Sequence, residues 1–305
     1  MSFDRLIEKI AEKRNPTVAG LDPRIEYLPE GMLARHTAQK GETLEAAAGA
    51  FLEFNRGLMD ALADIVPAVK LQSACYEALG PAGLQTLKES AEYASGLGLY
   101  VIIDAKRGDI GSTAESYSAA YLGRVKVGNT EHMAFPCDAL TVNPYLGSDN
   151  LNEFLKDCDK YGKAVFVLCK TSNKSSSEVQ ELMAGDRPLY RVIADQIDRA
   201  GAKRTGEYGY SSAGVVVGAT QPAHLRELRE RYPALFFLVP GYGAQGGAAA
   251  DIAGAFDKRG RGAVVNNSRG LMCAWQKANT ADYTAAAREA ALFMRDAIRV
   301  YVTIQ

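Results

Sequence analysis

The sequence has few of the residues that build metal centres or disulfide frameworks. Its five cysteines form an odd set with no CxxC pair, so neither a disulfide framework nor a zinc site is indicated. Its three histidines, His36, His132 and His224, are isolated and form no HExxH-like pair. We therefore predict no metal site and a reducing, cytoplasmic location.

An excess of charge of either sign is also lacking. Thirty-five basic residues face 36 acidic ones, which leaves a formal net charge of −1. This balance argues against a nucleic-acid-binding surface, although one local basic pocket for a phosphate remains compatible with it. No apolar run approaches the roughly 20 residues of a membrane span. The first residues, MSFDRLIEKIAEKR, instead predict an amphipathic helix.

A strand-then-helix unit recurs along the chain and predicts the fold. Short β-branched runs alternate with amphipathic stretches, which is typical of parallel strands joined by crossover helices. Eight such units predict a closed (β/α)8 TIM barrel, in one α/β domain over residues 1–305. Its core would span about residues 17–270, the N-terminal helix would cover its base, and Arg24–Gly41 would be an insertion after strand one. The predicted strands are Thr17–Leu21, Ala68–Gln72, Leu99–Asp104, Ala139–Asn143, Ala164–Cys169, Gly214–Val217, Phe236–Val239 and Ala263–Asn266.

The helical stretches follow from the same pattern. They are Thr43–Ile65, Tyr76–Ser95, Thr113–Arg124, Asp149–Tyr161, Pro188–Arg204, Pro222–Arg231, Ala248–Lys258 and a closing helix at Ala281–Val300.

An unusual concentration of charge follows the third strand, in YVIIDAKRGDIGST. Asp104 and Lys106 are two residues apart, so a strand projects them in the same direction, and Asp109 follows. Active sites of such barrels lie at the carboxyl ends of the strands, where Asp22 and Lys70 also converge. A structural ion-pair network is the ordinary explanation of such a group. A functional site explains its location better, because burying charge costs several kcal/mol per ion before pairing.

A phosphate site is predicted at the ends of strands seven and eight. The segment PGYGAQGG, Pro240–Gly247, lies between a strand and a helix, where glycines bring backbone N–H groups close to an anion. Arg269, after strand eight, can bind phosphate through two parallel hydrogen bonds. A tight turn with a solvated arginine is the alternative, but barrels commonly hold phosphate at these two loops.

Together these features suggest chemistry that builds negative charge on carbon and then protonates it. Lys106, between carboxylates, would remain an ammonium ion, which suits a general acid better than a Schiff-base nucleophile. It would stabilise a developing carbanion, and a fixed aspartate would repel a substrate carboxylate. Decarboxylation fits this demand.

The motifs resemble those of orotidine 5'-phosphate decarboxylases, in particular the longer bacterial subgroup (type 2). DAKRGDIGST is similar to the family's Asp-x-Lys-x-x-Asp signature. VAGLDPR, AVKLQSACYE, DALTVNPYLG, LCKTSN, VPGYGAQGG and VNNSRG resemble its other strand ends, from about Thr17 to Arg269. The resemblance implies conversion of orotidine 5'-phosphate to uridine 5'-phosphate and CO2, without a cofactor.

The resemblance also implies a role for each site residue. Lys106 would be the proton donor, Asp104 the carboxylate beside the scissile group, and Lys70 the lysine that completes the charge network. Among substrate ligands, Asp22 would bind the ribose, Ser172 the pyrimidine, and Gln245, Gly246 and Arg269 the phosphate. Asp109 and Thr113 occupy positions that reach into the partner subunit's site, so a homodimer with shared active sites is implied.

Two departures from the family pattern concern loops. Lys174–Ser177 replaces a frequent Pro-Gly, which predicts a more mobile or differently closed loop over the base. Tyr242 stands where a smaller aliphatic residue is expected, which would alter packing of the phosphate loop.

Two other functions remain open from the sequence. One is an Mg²⁺-dependent sugar-phosphate decarboxylase or aldolase of the related phosphate-binding barrels. Lys70 counts against it, since a cation near the carboxylates competes with a metal. The other is a barrel that only binds a phosphorylated ligand.

Overall fold

The computed structural model describes residues 2–243 and 246–305. Within these residues the barrel strands are β1 Thr17–Leu21, β2 Ala68–Gln72, β3 Tyr100–Arg107, β4 Ala139–Val142, β5 Ala164–Lys170, β6 Ala213–Val217, β7 Phe237–Val239 and β8 Ala263–Asn267. These eight parallel strands close into a barrel in the order β1-β8-β7-β6-β5-β4-β3-β2. The predicted TIM barrel is confirmed.

Strand β3 departs from the predicted bounds in a way that affects the site. It continues to Arg107 instead of ending at Asp104, and its register with β4 is irregular. Ile103 pairs with Leu140 and Arg107 pairs with Val142, so the β3 segment carries two extra residues. Lys106 lies in this bulge with a φ of 48°. The regular two-residue alternation that we assumed for Asp104 and Lys106 is therefore wrong there.

The helices follow the predicted order, with two corrections. The predicted helix Tyr76–Ser95 is two helices, Ser73–Glu77 and Gly80–Gly96, and the predicted Ala248–Lys258 is only the short helix Ala249–Ile252 with a 3-10 turn. The others are Ser2–Lys13, Met32–Lys40, Leu44–Leu62, Gly111–Tyr121, Ser148–Tyr161, Ser177–Gln180, Leu189–Gly201, Pro222–Arg231, Arg269–Met272, Ala274–Ala278 and Tyr283–Arg299. The 3-10 turns lie at Ile25–Tyr27, Lys174–Ser176 and Ala253–Ala255, and small hairpins pair Val125–Val127 with Thr130–His132 and Met183–Ala184 with Arg187–Pro188.

The N-terminal helix closes the base of the barrel, as predicted. Phe3 packs its ring against Phe166 and Phe236, at centroid distances of 4.9 and 4.7 Å. Ser2 Oγ lies 2.6 Å from the hydroxyl of Tyr100, at the start of β3. With the base filled by apolar side chains, the opposite end of the barrel is the open one.

The insertion after β1 forms part of the wall at that open end. It contains the 3-10 turn Ile25–Tyr27 and the helix Met32–Lys40. Trp275 Nε1 donates to the carbonyl of Tyr27 at 3.2 Å, and Gln276 Nε2 donates to that of Glu26 at 2.7 Å. The insertion is thereby fixed to the segment that follows β8. Among the helices of the described residues, none has the length and apolarity needed to cross a bilayer.

Candidate active site

A cavity of about 620 Å³ opens at the carboxyl ends of the strands. This volume suits a small-molecule ligand. Six of the predicted site residues line it together: Asp22, Lys70, Asp104, Lys106, Ser172 and Arg269. The charge cluster comes from the ends of β1, β2 and β3, and the predicted phosphate ligand Arg269 follows β8. The barrel thus brings them together at one cavity.

Asp104 is the centre of the charge cluster and is 8% exposed. Its Oδ1 accepts from Lys106 Nζ at 2.6 Å and from Thr141 Oγ1 at 2.8 Å. Its Oδ2 accepts from Lys70 Nζ at 3.1 Å and Gln72 Nε2 at 3.0 Å. Burial alone would raise the pKa of Asp104, but the charges of Lys70 and Lys106 outweigh it and hold that pKa well below its usual range. The carboxylate is thus fixed in place and ionised.

Lys70 is a buried ammonium between two carboxylates. Its Nζ lies 3.4 Å from Asp22 Oδ1 as well as 3.1 Å from Asp104 Oδ2, and the residue is 2% exposed. Burial opposes its charge, yet the two aspartates dominate and raise the pKa of Lys70 above its ordinary value. Lys70 therefore fixes Asp22 and Asp104 relative to each other.

Lys106 differs from Lys70 in being accessible from the cavity. Its side chain is 44% exposed, and its ammonium contacts one carboxylate, Asp104. Its backbone N–H donates to Thr141 Oγ1 at 2.9 Å. A left-handed φ is uncommon for a residue with a Cβ, and such conformations concentrate at functional sites. Of the two lysines of the cluster, Lys106 is the one placed to reach a bound molecule.

Asp109 and Thr113 are not brought to this cavity in the single chain. Asp109 lies beyond the end of β3, where its Oδ1 accepts from the backbone N–H of Ile110 at 2.8 Å. Thr113 is exposed in the first turn of the helix Gly111–Tyr121. Asp109 is half-buried and Thr113 is exposed, and neither lines the cavity.

The phosphate region agrees only in part with the prediction. Arg269 lines the cavity, and among the described residues its guanidinium has no hydrogen bond or ion pair. In the glycine-rich loop, however, the N–H groups of Gly243, Gly246 and Gly247 donate to carbonyls within the loop. The helix after it is only four residues long, which is too short to add a strong positive end to the site. Gln245 lies outside the described residues, and Gly246 remains a prediction.

Tyr242 forms part of the wall of the cavity. Its ring packs against the hydrophobic core, and its burial raises the pKa of its hydroxyl. Tyr242, which stands where the family pattern has a smaller aliphatic residue, therefore adds an aromatic surface to the cavity.

The loop after β5 is closed by a buried lysine. Lys170 is fully buried, and its Nζ donates to Ser176 Oγ at 2.7 Å and lies 3.0 Å from Glu181 Oε1. Gln180 bonds to both the N–H and the hydroxyl of Thr171, next to Ser172. Ser176, within the Lys174–Ser177 segment, thus provides the partner of Lys170, and the two alternatives for this segment, a more mobile or a differently closed loop, stay predictions.

Sequence reasoning missed several residues that line the cavity, among them Gln72, Thr141 and Arg24. Gln72 lies two residues after Lys70 on β2, so the alternation of a strand could have identified it. Thr141 gave no signal, because threonine is a common strand residue on either face. Among the described residues, no group of three His, Cys, Asp or Glu side chains is arranged to hold a metal ion.

The sequence model of the Orotidine 5'-phosphate decarboxylase / HUMPS family matches residues 52–282. The match includes the charge cluster from Lys70 to Asp109 and the phosphate region up to Arg269. The chain belongs to this family.

Full-length relatives agree with the first part of that description. The chain is 37% identical over 300 residues to the orotidine 5'-phosphate decarboxylase of Caldicellulosiruptor bescii, with 98% of each chain covered. It is 41% identical over 289 residues to that of Rhodopirellula baltica, covering 95% of this chain and 92% of the relative. The solved structure of Leishmania donovani OMP decarboxylase is 35% identical, with a TM-score of 0.72 over 98% of this chain and 99% of that one. The resemblance stated from the motifs, including the longer subgroup, is confirmed.

Proposed function

We propose that the chain decarboxylates orotidine 5'-phosphate to uridine 5'-phosphate and CO2 without a cofactor, with Lys106 as the proton donor. The observation that carries this is the ionised Asp104 carboxylate fixed between Lys70 and Lys106, in a cavity that also contains Arg269. The family and its named full-length relatives support the same activity, a carboxy-lyase reaction in the synthesis of uridine 5'-phosphate.

The reaction needs an electron pair to be held on carbon and then protonated. The bond between the pyrimidine carbon and its carboxylate breaks, CO2 leaves, and the electron pair remains on the ring carbon. Lys106 stabilises that charge through its ammonium and then donates a proton to the carbon, which leaves a neutral amine. Asp104 repels the substrate carboxylate in the ground state, and Lys70 keeps Asp104 ionised and in position.

The remaining cavity residues would bind the substrate. Asp22 would accept a hydrogen bond from a ribose hydroxyl and Ser172 would bond to the pyrimidine. Arg269 would bind the phosphate, since a guanidinium without another partner among the described residues suits two parallel hydrogen bonds to phosphate. Gln245 and Gly246 are proposed phosphate ligands from the sequence pattern.

We further propose that two copies of the chain share their active sites, through Asp109 and Thr113. Both residues lie outside the cavity of their own chain, on a surface with exposed apolar side chains. Ile110 is 56% exposed, Tyr145 86% and Leu146 47%. The buried side-chain amide of Asn150 joins the loop after β3 to the loop after β4. Its oxygen accepts from Asp109 N at 3.0 Å, and its nitrogen donates to Asn143 O at 2.6 Å. Exposed apolar patches of this kind often mark protein interfaces. Separately, we propose a cytoplasmic location for the protein.

The Mg²⁺-dependent alternative is less compatible with the arrangement of the carboxylates. Asp22 and Asp104 are both bonded to Lys70, whose ammonium lies between them. A divalent cation bound by both would have to displace that ammonium or accept its repulsion.

The test of the proposed activity is a spectrophotometric assay with the purified protein. Orotidine 5'-phosphate should lose its ultraviolet absorbance and yield uridine 5'-phosphate, with and without EDTA. Loss of turnover in EDTA with rescue by Mg²⁺ would favour the metal-dependent enzyme. Binding of uridine 5'-phosphate without any turnover would favour the non-catalytic barrel.

A further inference from the structure

A single hydroxyl connects the backbone of Lys106 to the carboxylate of Asp104. Thr141, on β4, is 1% exposed. Its Oγ1 lies 2.9 Å from Lys106 N and 2.8 Å from Asp104 Oδ1. A backbone N–H only donates and an ionised carboxylate only accepts, so both directions are determined. The hydroxyl accepts from Lys106 and donates its one proton to Asp104.

This hydroxyl occupies the place where the regular strand ladder is interrupted. Between the pairs Ile103 with Leu140 and Arg107 with Val142, β3 has two more residues than β4, so Lys106 is not in register with a residue of β4, and its N–H donates to the side chain of Thr141. A partly buried N–H without a partner would favour another backbone conformation. Thr141 supplies the missing acceptor and so stabilises the left-handed φ of Lys106.

We infer that Thr141 is a positioning residue for the proposed proton donor: its hydroxyl fixes the bulged backbone of Lys106 relative to the Asp104 carboxylate. The inference rests on the proposed function. Lys106 is half-exposed and its ammonium contacts one carboxylate, so its side chain alone does not determine where the ammonium lies. Thr141 Oγ1 holds the backbone of Lys106 directly, and it holds the Asp104 carboxylate to which the Lys106 ammonium is bonded. Both ends of the Lys106 side chain are therefore positioned relative to the same oxygen atom.

The competing interpretations are that Thr141 only packs, or that it binds substrate directly. A packing residue would change stability alone. A direct ligand would change KM, whereas a residue that orients the proton donor changes kcat, because small misplacement of a reacting group slows the chemical step.

The variants Thr141→Val and Thr141→Ser separate these roles. Valine keeps the shape and removes the hydroxyl, while serine keeps the hydroxyl and removes a methyl group. We expect kcat of Thr141→Val to fall roughly 10- to 100-fold. KM and the binding of uridine 5'-phosphate by calorimetry should remain nearly unchanged, and Thr141→Ser should retain most of the activity.

Thr86→Val is the matched control, because Thr86 is also buried and its hydroxyl donates to Ala48 O at 3.0 Å, away from the cavity. It should lose stability but not kcat. If Thr141→Val does not fold, Thr141→Ala is compared with Thr141→Ser, and equal kcat in these two would overturn the inference. So would a wild-type kcat in a folded Thr141→Val. A wild-type protein without any turnover would instead contradict the proposed function.

Discussion

The ammonium of Lys106 lies 2.6 Å from Asp104 Oδ1, although the two residues lie on a bulged segment and Lys106 has a φ of 48°. A regular strand would also place them on one face, but without the left-handed residue. The bulge costs about 1–3 kcal/mol in backbone conformation, which the surrounding bonds offset. Asp104 therefore has two ammonium partners of different kinds, buried Lys70 and accessible Lys106.

The first prediction concerns the pH dependence of stability. The pKa of Asp104 is lowered in the folded state, so its contribution is present above the unfolded pKa of roughly 4 and is lost as the pH falls towards the folded value. The pKa of Lys70 is raised, so its contribution is present below the unfolded pKa of roughly 10.4 and is lost as the pH rises through the folded value. The pair thus stabilises the fold fully between these limits.

The variant Lys70→Met tests this assignment by urea unfolding across pH. It should lower the free energy of unfolding at pH 7 by about 3 kcal/mol, because it leaves Asp104 and Asp22 without their shared buried cation. Its acid-induced loss of stability should be smaller than in the wild type, since removing one cation brings the folded pKa of Asp104 closer to its unfolded value. Identical pH profiles for the two proteins would show that the pair of Asp104 and Lys70 does not cause the pH dependence of the free energy of unfolding.

The second prediction concerns the phosphate ligand. Arg269→Gln should raise KM for orotidine 5'-phosphate by roughly 100-fold, the equivalent of about 3 kcal/mol for a charge-assisted bond. It should have little effect on the slow turnover of orotidine, which has no phosphate. Arg24→Gln is the control, because Arg24 is another cation in the wall of the same cavity. An equal loss with both substrates would contradict the phosphate role.

The third prediction concerns the loop after β5. Lys170→Met keeps the length of the buried side chain but removes its bonds to Ser176 and Glu181. We expect faster proteolytic cleavage within residues 171–182 and a raised KM, because Ser172 would no longer be fixed at the cavity. Lys174→Met, on the exposed surface of the same loop, should have neither effect. Unchanged cleavage in Lys170→Met would show that the loop is held by other contacts.

The fourth prediction tests the shared active sites by mixing two inactive variants. Lys106→Ala and Asp109→Asn should each abolish turnover. After joint refolding, half of the randomly formed dimers are mixed, and each has one intact site. Roughly a quarter of the wild-type activity should therefore return, from the arithmetic of a twofold assembly. No recovery, in dimers shown to be mixed, would contradict the proposal that Asp109 completes the partner's site.

The sequence predicted those parts of the site that depend on one strand end and its chemistry. Asp22, Lys70, Asp104 and Lys106 were identified because charged residues directly after apolar strands are unusual, and a barrel brings such ends together. Arg269 followed from the preference for phosphate at the last two strands. These features depend on local pattern and on a common fold.

What the sequence did not predict depends on pairings between distant residues. The bulge at Lys106 arises from its register with β4, and Thr141 acquires its role only there. In the glycine-rich loop, backbone N–H groups donate to carbonyls of the same loop, which the composition of the segment does not indicate. The closure of the β5 loop required knowing that Lys170 is buried and that Ser176 lies within reach of it.

The central claim is that the Lys106 ammonium protonates the carbon from which CO2 leaves. The measurement that tests it most directly is turnover of orotidine 5'-phosphate by Lys106→Ala, with Lys88→Ala, an exposed helix lysine, as the control. We expect Lys106→Ala to bind uridine 5'-phosphate but to lose activity by roughly 1000-fold or more, while Lys88→Ala behaves as the wild type. Turnover that persists in a folded Lys106→Ala would contradict the account.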